Sequence, residues 1–245
     1  MRYFILSDIH SNLEALEAVL EDIGKISPSD KLICLGDVVG YGPNPNECIE
    51  LMKERAGVTI MGNHDHAVLG LTDPAYFNPY AAYMVFWTRS VLSPANREAL
   101  ESYRISVIEG EILFVHATPK DPLNWEYIFS ASDARHHLQD LKEHLCFIGH
   151  SHVPLYYAMD PRGRLTGGRK PAFTLRVDDQ LRYIVNVGSV GQPRDYNPQS
   201  AYAIYDVDNK TIEVRRVPYN IQAVQRKMKE ADLPPFLINR LSQGV

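Results

Sequence analysis

Along the first 150 residues, short apolar runs alternate with segments of helical period, and each run stops at a polar cluster. Tyr3–Leu6 reads as a buried strand ending at Ser7-Asp8-Ile9-His10. Ser11 with Glu14 has the form of a capping box, and Leu13, Leu16, Val19, Leu20 and Ile23 follow at helical spacing, so a helix is expected from about Asn12 to Ile23. Leu32–Leu35 repeats the habit, a buried strand closed by Gly36-Asp37; Asn44-Pro45-Asn46-Glu47 then supplies an N-cap, a first-turn proline and an acidic third position. Val58–Met61, Ile112–Val115 and Leu145–Ile148 read as further strands, ending at Gly62-Asn63-His64-Asp65, at His116 and at Gly149-His150-Ser151-His152. Strands that deliver Asp, Asn or His at their C-terminal ends put polar chemistry where layered α/β folds place their ligands.

Between these runs, Asn78-Pro79 and Ser93-Pro94 open two helices, and the segment at about 73–104 reads as a helical insertion. Tyr80–Leu92 is apolar on nearly all sides, which predicts a buried helix, and Tyr76, Phe77, Tyr80 and Tyr83 are expected in the core rather than stacked on a ligand. After Pro154 the period shortens to two: Phe173–Val177, Tyr183–Val187, Ala201–Val207 and Thr211–Val217 read as antiparallel strands. Ile221–Leu241 predicts one or two terminal helices broken at Pro234-Pro235. The Arg162–Lys170 stretch is expected as a solvated turn, His66, His136, His137 and His144 as solvated side chains, and Arg194 as an ion-pair partner of Asp195 or another acid. With no repeat and no linker-like tract, residues 1–245 are expected to form a single domain.

Composition narrows the class. A 245-residue chain with 45% hydrophobic and 22% charged residues can build a globular core, which excludes disordered and collagen-like classes. The longest apolar run, Tyr80–Trp87, is far shorter than the roughly 18–20 residues of a membrane span, so no membrane partner is expected. The net charge of −5 gives no general attraction for nucleic acid. Three scattered cysteines, Cys34, Cys48 and Cys146, and a start that runs straight into a strand lead to the expectation of a reducing cytoplasm.

The polar strand ends supply seven candidate metal ligands. Asp8 and His10 are two residues apart, so in an extended loop both side chains point the same way and can hold one cation. Asp37 can use both carboxylate oxygens and so bridge two ions, while Asn63, His116, His150 and His152 complete the set. Nitrogen and oxygen donors without thiolate suit Mn, Fe, Co, Ni or Zn. Seven donors exceed what one four-coordinate ion uses, whereas two ions sharing a carboxylate would each receive about four. Such pairs suit displacement at phosphorus.

In order and spacing, Asp8-x-His10, Gly36-Asp37 with Gly40, Gly62-Asn63-His64-Asp65, the lone His116 and Gly149-His150-x-His152 resemble the signature of the calcineurin-like metallophosphoesterases. The segment Asn186-Val187-Gly188-Ser189-Val190-Gly191-Gln192-Pro193-Arg194 is similar to one in the small bacterial and archaeal phosphodiesterase-like branch. The resemblance implies a four-layer αββα sandwich, an α/β fold of two mixed sheets flanked by helices. It implies one divalent ion held by Asp8, His10, Asp37 and His152 and a second by Asp37, Asn63, His116 and His150. His64 would then act on the phosphate as the catalytic group, with Asp65 orienting it. The implied chemistry is hydrolysis of a phosphodiester or small phosphomonoester by in-line attack of a hydroxide held on the two ions, manganese among the candidate metals. Segment 36–42 lacks the Asp-Arg pair usual in the serine/threonine protein phosphatase branch, which stays as an alternative beside a non-catalytic interaction scaffold. The expected partner is a small phosphate ester, with a nucleotide admitted, no nucleic acid, and pairing into a homo-oligomer left open.

Overall fold

The computed structural model describes residues 1–26 and 30–245. Its strands are β1 (Arg2–Leu6), β2 (Lys31–Cys34), β3 (Val58–Thr59), β4 (Ser106–Glu109), β5 (Ile112–Val115), β6 (Leu145–Ile148), β7 (Leu155–Met159), β8 (Leu165–Arg169), β9 (Phe173–Arg176), β10 (Arg182–Asn186), β11 (Ser200–Asp206) and β12 (Thr211–Val217). They form two mixed sheets of six strands, ordered β3-β2-β1-β11-β12-β9 and β4-β5-β6-β10-β7-β8. The helices are α1 (Leu13–Ile26), α2 (Pro45–Arg55), α3 (Asn63–Leu69), α4 (Pro79–Val91), α5 (Pro94–Glu101), α6 (Ala131–Leu138), α7 (Ile221–Glu230) and α8 (Pro235–Arg240).

Successive strand residues face opposite sides, and that alternation builds the layers. In β1, Tyr3 and Ile5 enter the core between the sheets with Ile33, Phe114, Phe147, Tyr183 and Val185. Phe4 and Leu6 point the other way, into a core with Leu16, Val19 and Ile23 of α1 and Ile49 and Met52 of α2. On the outer face of the second sheet, Val115, Cys146, Ile148 and Ile184 pack against Ala134 and Leu138 of α6. Strands β1, β2, β5, β6 and β10 are buried on both faces, so they read in sequence as unbroken apolar runs. The four layers are the αββα sandwich that the family resemblance implies.

Several local expectations are corrected. The cap of α1 is Asn12, whose side chain accepts from Ala15 N at 3.2 Å; Ser11 Oγ has no hydrogen-bond partner. Residues 162–170 are not merely a turn but lie largely in β8, paired antiparallel with β7; β8 and β4 are not evident in the apolar pattern, whereas β7 is an apolar run, Leu155–Met159, left unassigned in the sequence reading. In β8 the pattern is diluted by Gly167 and Gly168 at a half-exposed edge. His137 is buried rather than solvated, because Ala134, His137 and Leu138 form the inward stripe of α6. Helix α4 buries only Ala81, Met84, Val85 and Thr88. Tyr80, Tyr83 and Phe86 are exposed, as is Tyr76 ahead of the helix, so the expected core packing of these tyrosines is overturned. An all-apolar helix leaves its inward face undefined in sequence, and here the neighbours choose the aliphatic stripe.

Candidate metal centre

Parallel pairing brings the polar strand ends together. Leu6 lies opposite Cys34 and Asn186 opposite Ile148, so the loops after β1, β2, β6 and β10 leave one edge side by side. Backbone hydrogen bonds lock them: Asp8 N to Gly36 O at 3.0 Å, His10 N to Asp37 O at 2.9 Å and Ser11 N to Val38 O at 2.9 Å. Asp8 and His10 are not extended, as the sequence reading assumed. They sit at φ of +53° and +50°, with Asp37 at +52°, His150 at +64° and His152 at +59°. Each such left-handed residue costs on the order of 1–3 kcal/mol, and strain of this kind collects where side chains must converge.

All seven candidate ligands are buried in one cluster. His152 Nε2 lies 3.2 Å from Asp8 Oδ1, and His10 Nε2 3.8 Å from the same atom. Asp37 Oδ2 lies between two histidines, 3.6 Å from His10 Nε2 and 3.4 Å from His116 Nε2. Asn63 Oδ1 is 3.3 Å from His116 Nε2, and the rings of His116 and His150 are 5.0 Å apart. The donors thus gather into two groups, Asp8 with His10 and His152, and Asp37 with His116 and His150, and a third combination, His10, Asp37 and His64, overlaps both.

Backbone carbonyls set which nitrogen of each imidazole faces inward. His10 Nδ1 meets Val39 O at 3.0 Å, His116 Nδ1 meets Leu35 O at 2.9 Å and His152 Nδ1 meets Gln192 O at 2.5 Å. A carbonyl only accepts, so each Nδ1 carries a proton; His10 and His152 turn an Nε2 lone pair toward the centre, and His116 offers its Nε2 once the second proton of its charged ring is displaced. His150 is reversed: its Nε2 meets Trp125 O at 2.9 Å, which leaves Nδ1 as the nitrogen free to coordinate. Carbonyl partners of this kind are the usual supports of metal-binding histidines.

The donor set fits divalent cations. Asp8 Oδ1 is a buried carboxylate oxygen with no hydrogen-bond partner. Close approach is possible only because glycines stand beside the acids: a Cβ on Gly62 would lie 2.0 Å from Asp37 Oδ1, and one on Gly149 1.8 Å from Ser7 Oγ. Burial works against the charges of Asp8 and Asp37, but the surrounding imidazoles outweigh it and hold both carboxyls below their usual range. Burial pushes His150 down to about 3 and His10 well below its ordinary value, so both are neutral. Burial also opposes charge on His116, yet the Asp37 carboxylate prevails and lifts it to about 9.

His64 stands beside this cluster, its ring 5.0 Å from His10, 4.6 Å from Tyr41 and 5.1 Å from Phe77. Its Nδ1 is buried without a partner, and burial pushes the imidazole down to about 4. Asp65 does not touch it as expected. The Asp65 carboxylate instead accepts from Gly62 N at 3.0 Å and Val39 N at 3.1 Å, closing the first turn of α3 and tying it to the loop after β2. That same turn gives His64 N to Asp37 Oδ1 at 2.8 Å.

Above the cluster opens a cleft of about 690 Å³, with Asp37, Asn63, His64, His150 and His152 at its floor. Sequence reasoning missed much of its wall. Tyr41, Trp125 and Tyr127 line it, as do Tyr76 and Phe77. The aromatic loop after His116 was the available signal. Arg194 also faces the cleft, and its expected ion pair is absent: Asp195 pairs with Arg216, while Arg194 Nη2 donates to Gln192 Oε1 at 2.9 Å.

Two sheets between helical layers, with a buried Asp/His centre at the C-terminal strand ends, define the class of α/β sandwich built around a metal-binding edge. The chain belongs to the calcineurin-like phosphoesterase superfamily, whose domain model matches residues 1–210. It is 40% identical over 246 aligned positions to the uncharacterized protein MJ0912 of Methanocaldococcus jannaschii, covering 98% of this chain and 97% of that protein. A metallophosphoesterase from Sphaerobacter thermophilus, solved as a crystal structure, is 40% identical with a TM-score of 0.88 over 100% of both chains. A shorter match, 32% over 74 residues, covers 29% of this chain and 27% of a symmetrical bis(5'-nucleosyl)-tetraphosphatase from Aliivibrio salmonicida. No helix of the described residues is long and apolar enough to cross a membrane.

Proposed function

We propose that the protein is a divalent-metal phosphoesterase of the cytoplasm that hydrolyses a phosphodiester or small phosphomonoester. The observation that carries this reading is Asp37 Oδ2, 3.6 Å from His10 and 3.4 Å from His116, shared between the two donor groups at the cleft floor. Asp8, His10, His152 and Asp37 would hold one ion, manganese among the candidates, and Asp37, Asn63, His116 and His150 a second. When bound, such ions supply a nucleophile from water near neutral pH and neutralise charge on phosphoryl oxygens.

The chain's own groups do the rest. Carbonyls of Val39, Leu35, Gln192 and Trp125 keep the imidazoles in the tautomer that presents a lone pair. His64 lines the cleft and holds a neutral imidazole whose N–H can donate to a phosphoryl oxygen or to the departing oxygen. An ester oxygen anion beside it would favour its protonation. Asp65 fixes the turn carrying both Asn63 and His64 rather than the imidazole itself. The short match to a tetraphosphatase supports a nucleotide among the substrates.

Turnover of bis-p-nitrophenyl phosphate and p-nitrophenyl phosphate with added Mn tests the reading. Release of p-nitrophenol from either supports it. Metal-loaded protein inert toward both would sink it.

A further inference from the structure

Outside the ligand cluster, the cleft lining combines aromatic rings with Leu71, Leu123, Asp73 and Arg194. Tyr76 is 87% exposed and Leu71 62%, both on one rim; Leu123 at 52% and Tyr127 at 44% belong to the opposite rim. Apolar groups this exposed contribute little to the core, and their collection at a cleft mouth marks a face for a ligand. The second rim is held in place. Asp121 and Trp125 bracket it in the left-handed region, at φ of +49° and +54°. Trp125 O binds His150 Nε2, and the Tyr127 ring is already stacked on two neighbours, His150 at 4.0 Å and 16° and Phe129 at 5.1 Å and 10°, so Tyr127 braces the wall and Trp125 is the ring left to a ligand.

Arg194 complements it. Its Nη2 is fixed by Gln192 Oε1, its guanidinium lies 5.7 Å from the Tyr41 ring centroid, and it makes no ion pair among the described residues. Its backbone N–H donates to His152 O, so the cation is tethered to a candidate ligand. A partly buried guanidinium facing a cleft, with no carboxylate of its own, is a site for a phosphoryl oxygen.

We propose that the cleft takes a nucleoside phosphate, its base stacked on Trp125 and a phosphoryl group that is not cleaved bound to Arg194. The inference rests on the phosphoesterase reading for where the reacting phosphorus sits, and it adds the residues that would hold the base and the uncleaved phosphoryl group. Base stacking on aromatic rings tolerates any base, so the geometry selects a nucleotide without selecting adenine over guanine.

The test is binding of adenosine 5'-methylenediphosphonate, a nucleotide that cannot be cleaved between its phosphorus atoms, to the Mn-loaded full chain, alongside methylenediphosphonate and adenosine. Trp87 and Trp125 are the two tryptophans, so a Trp87→Phe chain reports Trp125 fluorescence alone, and calorimetry on the unmodified chain checks the same order of affinities. The nucleotide should quench Trp125 and bind at least about tenfold more tightly than methylenediphosphonate. Trp125→Ala should erase that preference. Arg194→Gln, folded by circular dichroism, should weaken both phosphonates and leave adenosine unchanged. Equal affinity for nucleotide and methylenediphosphonate, or an Arg194→Gln chain that binds both as before, overturns the proposal. The two readings separate cleanly: model esters cleaved without ring preference refute only the nucleotide, and ring-dependent binding without cleavage of any ester refutes only the hydrolase.

Discussion

His10 Nε2 and His152 Nε2 face each other at 3.1 Å while both Nδ1 atoms are engaged by backbone carbonyls. Burial pushes both imidazoles down, so no proton lies between the two nitrogens and their lone pairs converge. Such a contact is unfavourable by itself and becomes favourable around a cation. His152→Ala is therefore expected to lower bound divalent metal per chain, read by elemental analysis. The melting temperature of the metal-free protein should change little, since relief of the lone-pair contact offsets the cavity. Unchanged metal content would remove His152 from the ligand set.

Metal loading should release protons. His116 is lifted to about 9 by Asp37 in the metal-free protein, so it carries a proton at pH 7 that coordination must displace. Calorimetric titration in two buffers of different ionisation enthalpy should report about one proton released from this residue. An enthalpy that does not depend on the buffer would contradict the assignment.

The metal-free protein should lose stability in both directions from near-neutral pH. His64 and His150 are held at about 4 and about 3, below the 6.5 of the unfolded chain. The unfolded state takes up those protons first, so stability falls as pH drops below about 6.5. His116 has the opposite sign: its contribution is full below 6.5 and is lost as pH rises toward 9. Urea unfolding in chelator from pH 5 to 9 should give a maximum near neutrality; a monotonic rise with pH would disprove this balance.

His64→Ala should leave metal content intact and lower the rate constant about 10²-fold or more, the usual worth of a positioned proton donor. Loss of metal in that variant would instead make His64 a ligand, a role its place near His10 and Asp37 permits geometrically.

Gly149→Ala should cost about 1–3 kcal/mol in urea unfolding, because the new Cβ would fall 1.8 Å from Ser7 Oγ and 2.6 Å from Asp8 Oδ2. Metal affinity should fall with it. A variant as stable as the parent would mean that the Ser7–Asp8 loop yields more easily than its hydrogen bonds imply.

Much of the centre was legible because its chemistry resides in side-chain identity. Asp8, His10, Asp37, His116, His150 and His152 follow runs that bury on both faces, Asn63 follows the half-buried β3, and parallel pairing of β1 with β2 in one sheet and of β5 and β10 with β6 in the other aligns the strand ends within each sheet. What could not be read was carried by backbone or by neighbours. Asp65 has the look of an orienting carboxylate, but three backbone N–H groups compete for it and win. Arg194 and Asp195 are adjacent in sequence, yet Arg216, on β12, takes the acid and leaves the cation to the cleft.

The sequence alone determined most of the strands and helices and the identity of the candidate donors, since apolar runs, helical period and ligand chemistry are properties of residues in order, while the four layers followed from the family resemblance its motifs carry. Only the tertiary structure decided the tautomer of each histidine, the free state of Arg194 and the aromatic rims. Those depend on which carbonyl, acid or ring arrives from a distant part of the chain, and proximity between distant segments is set by packing rather than by local pattern.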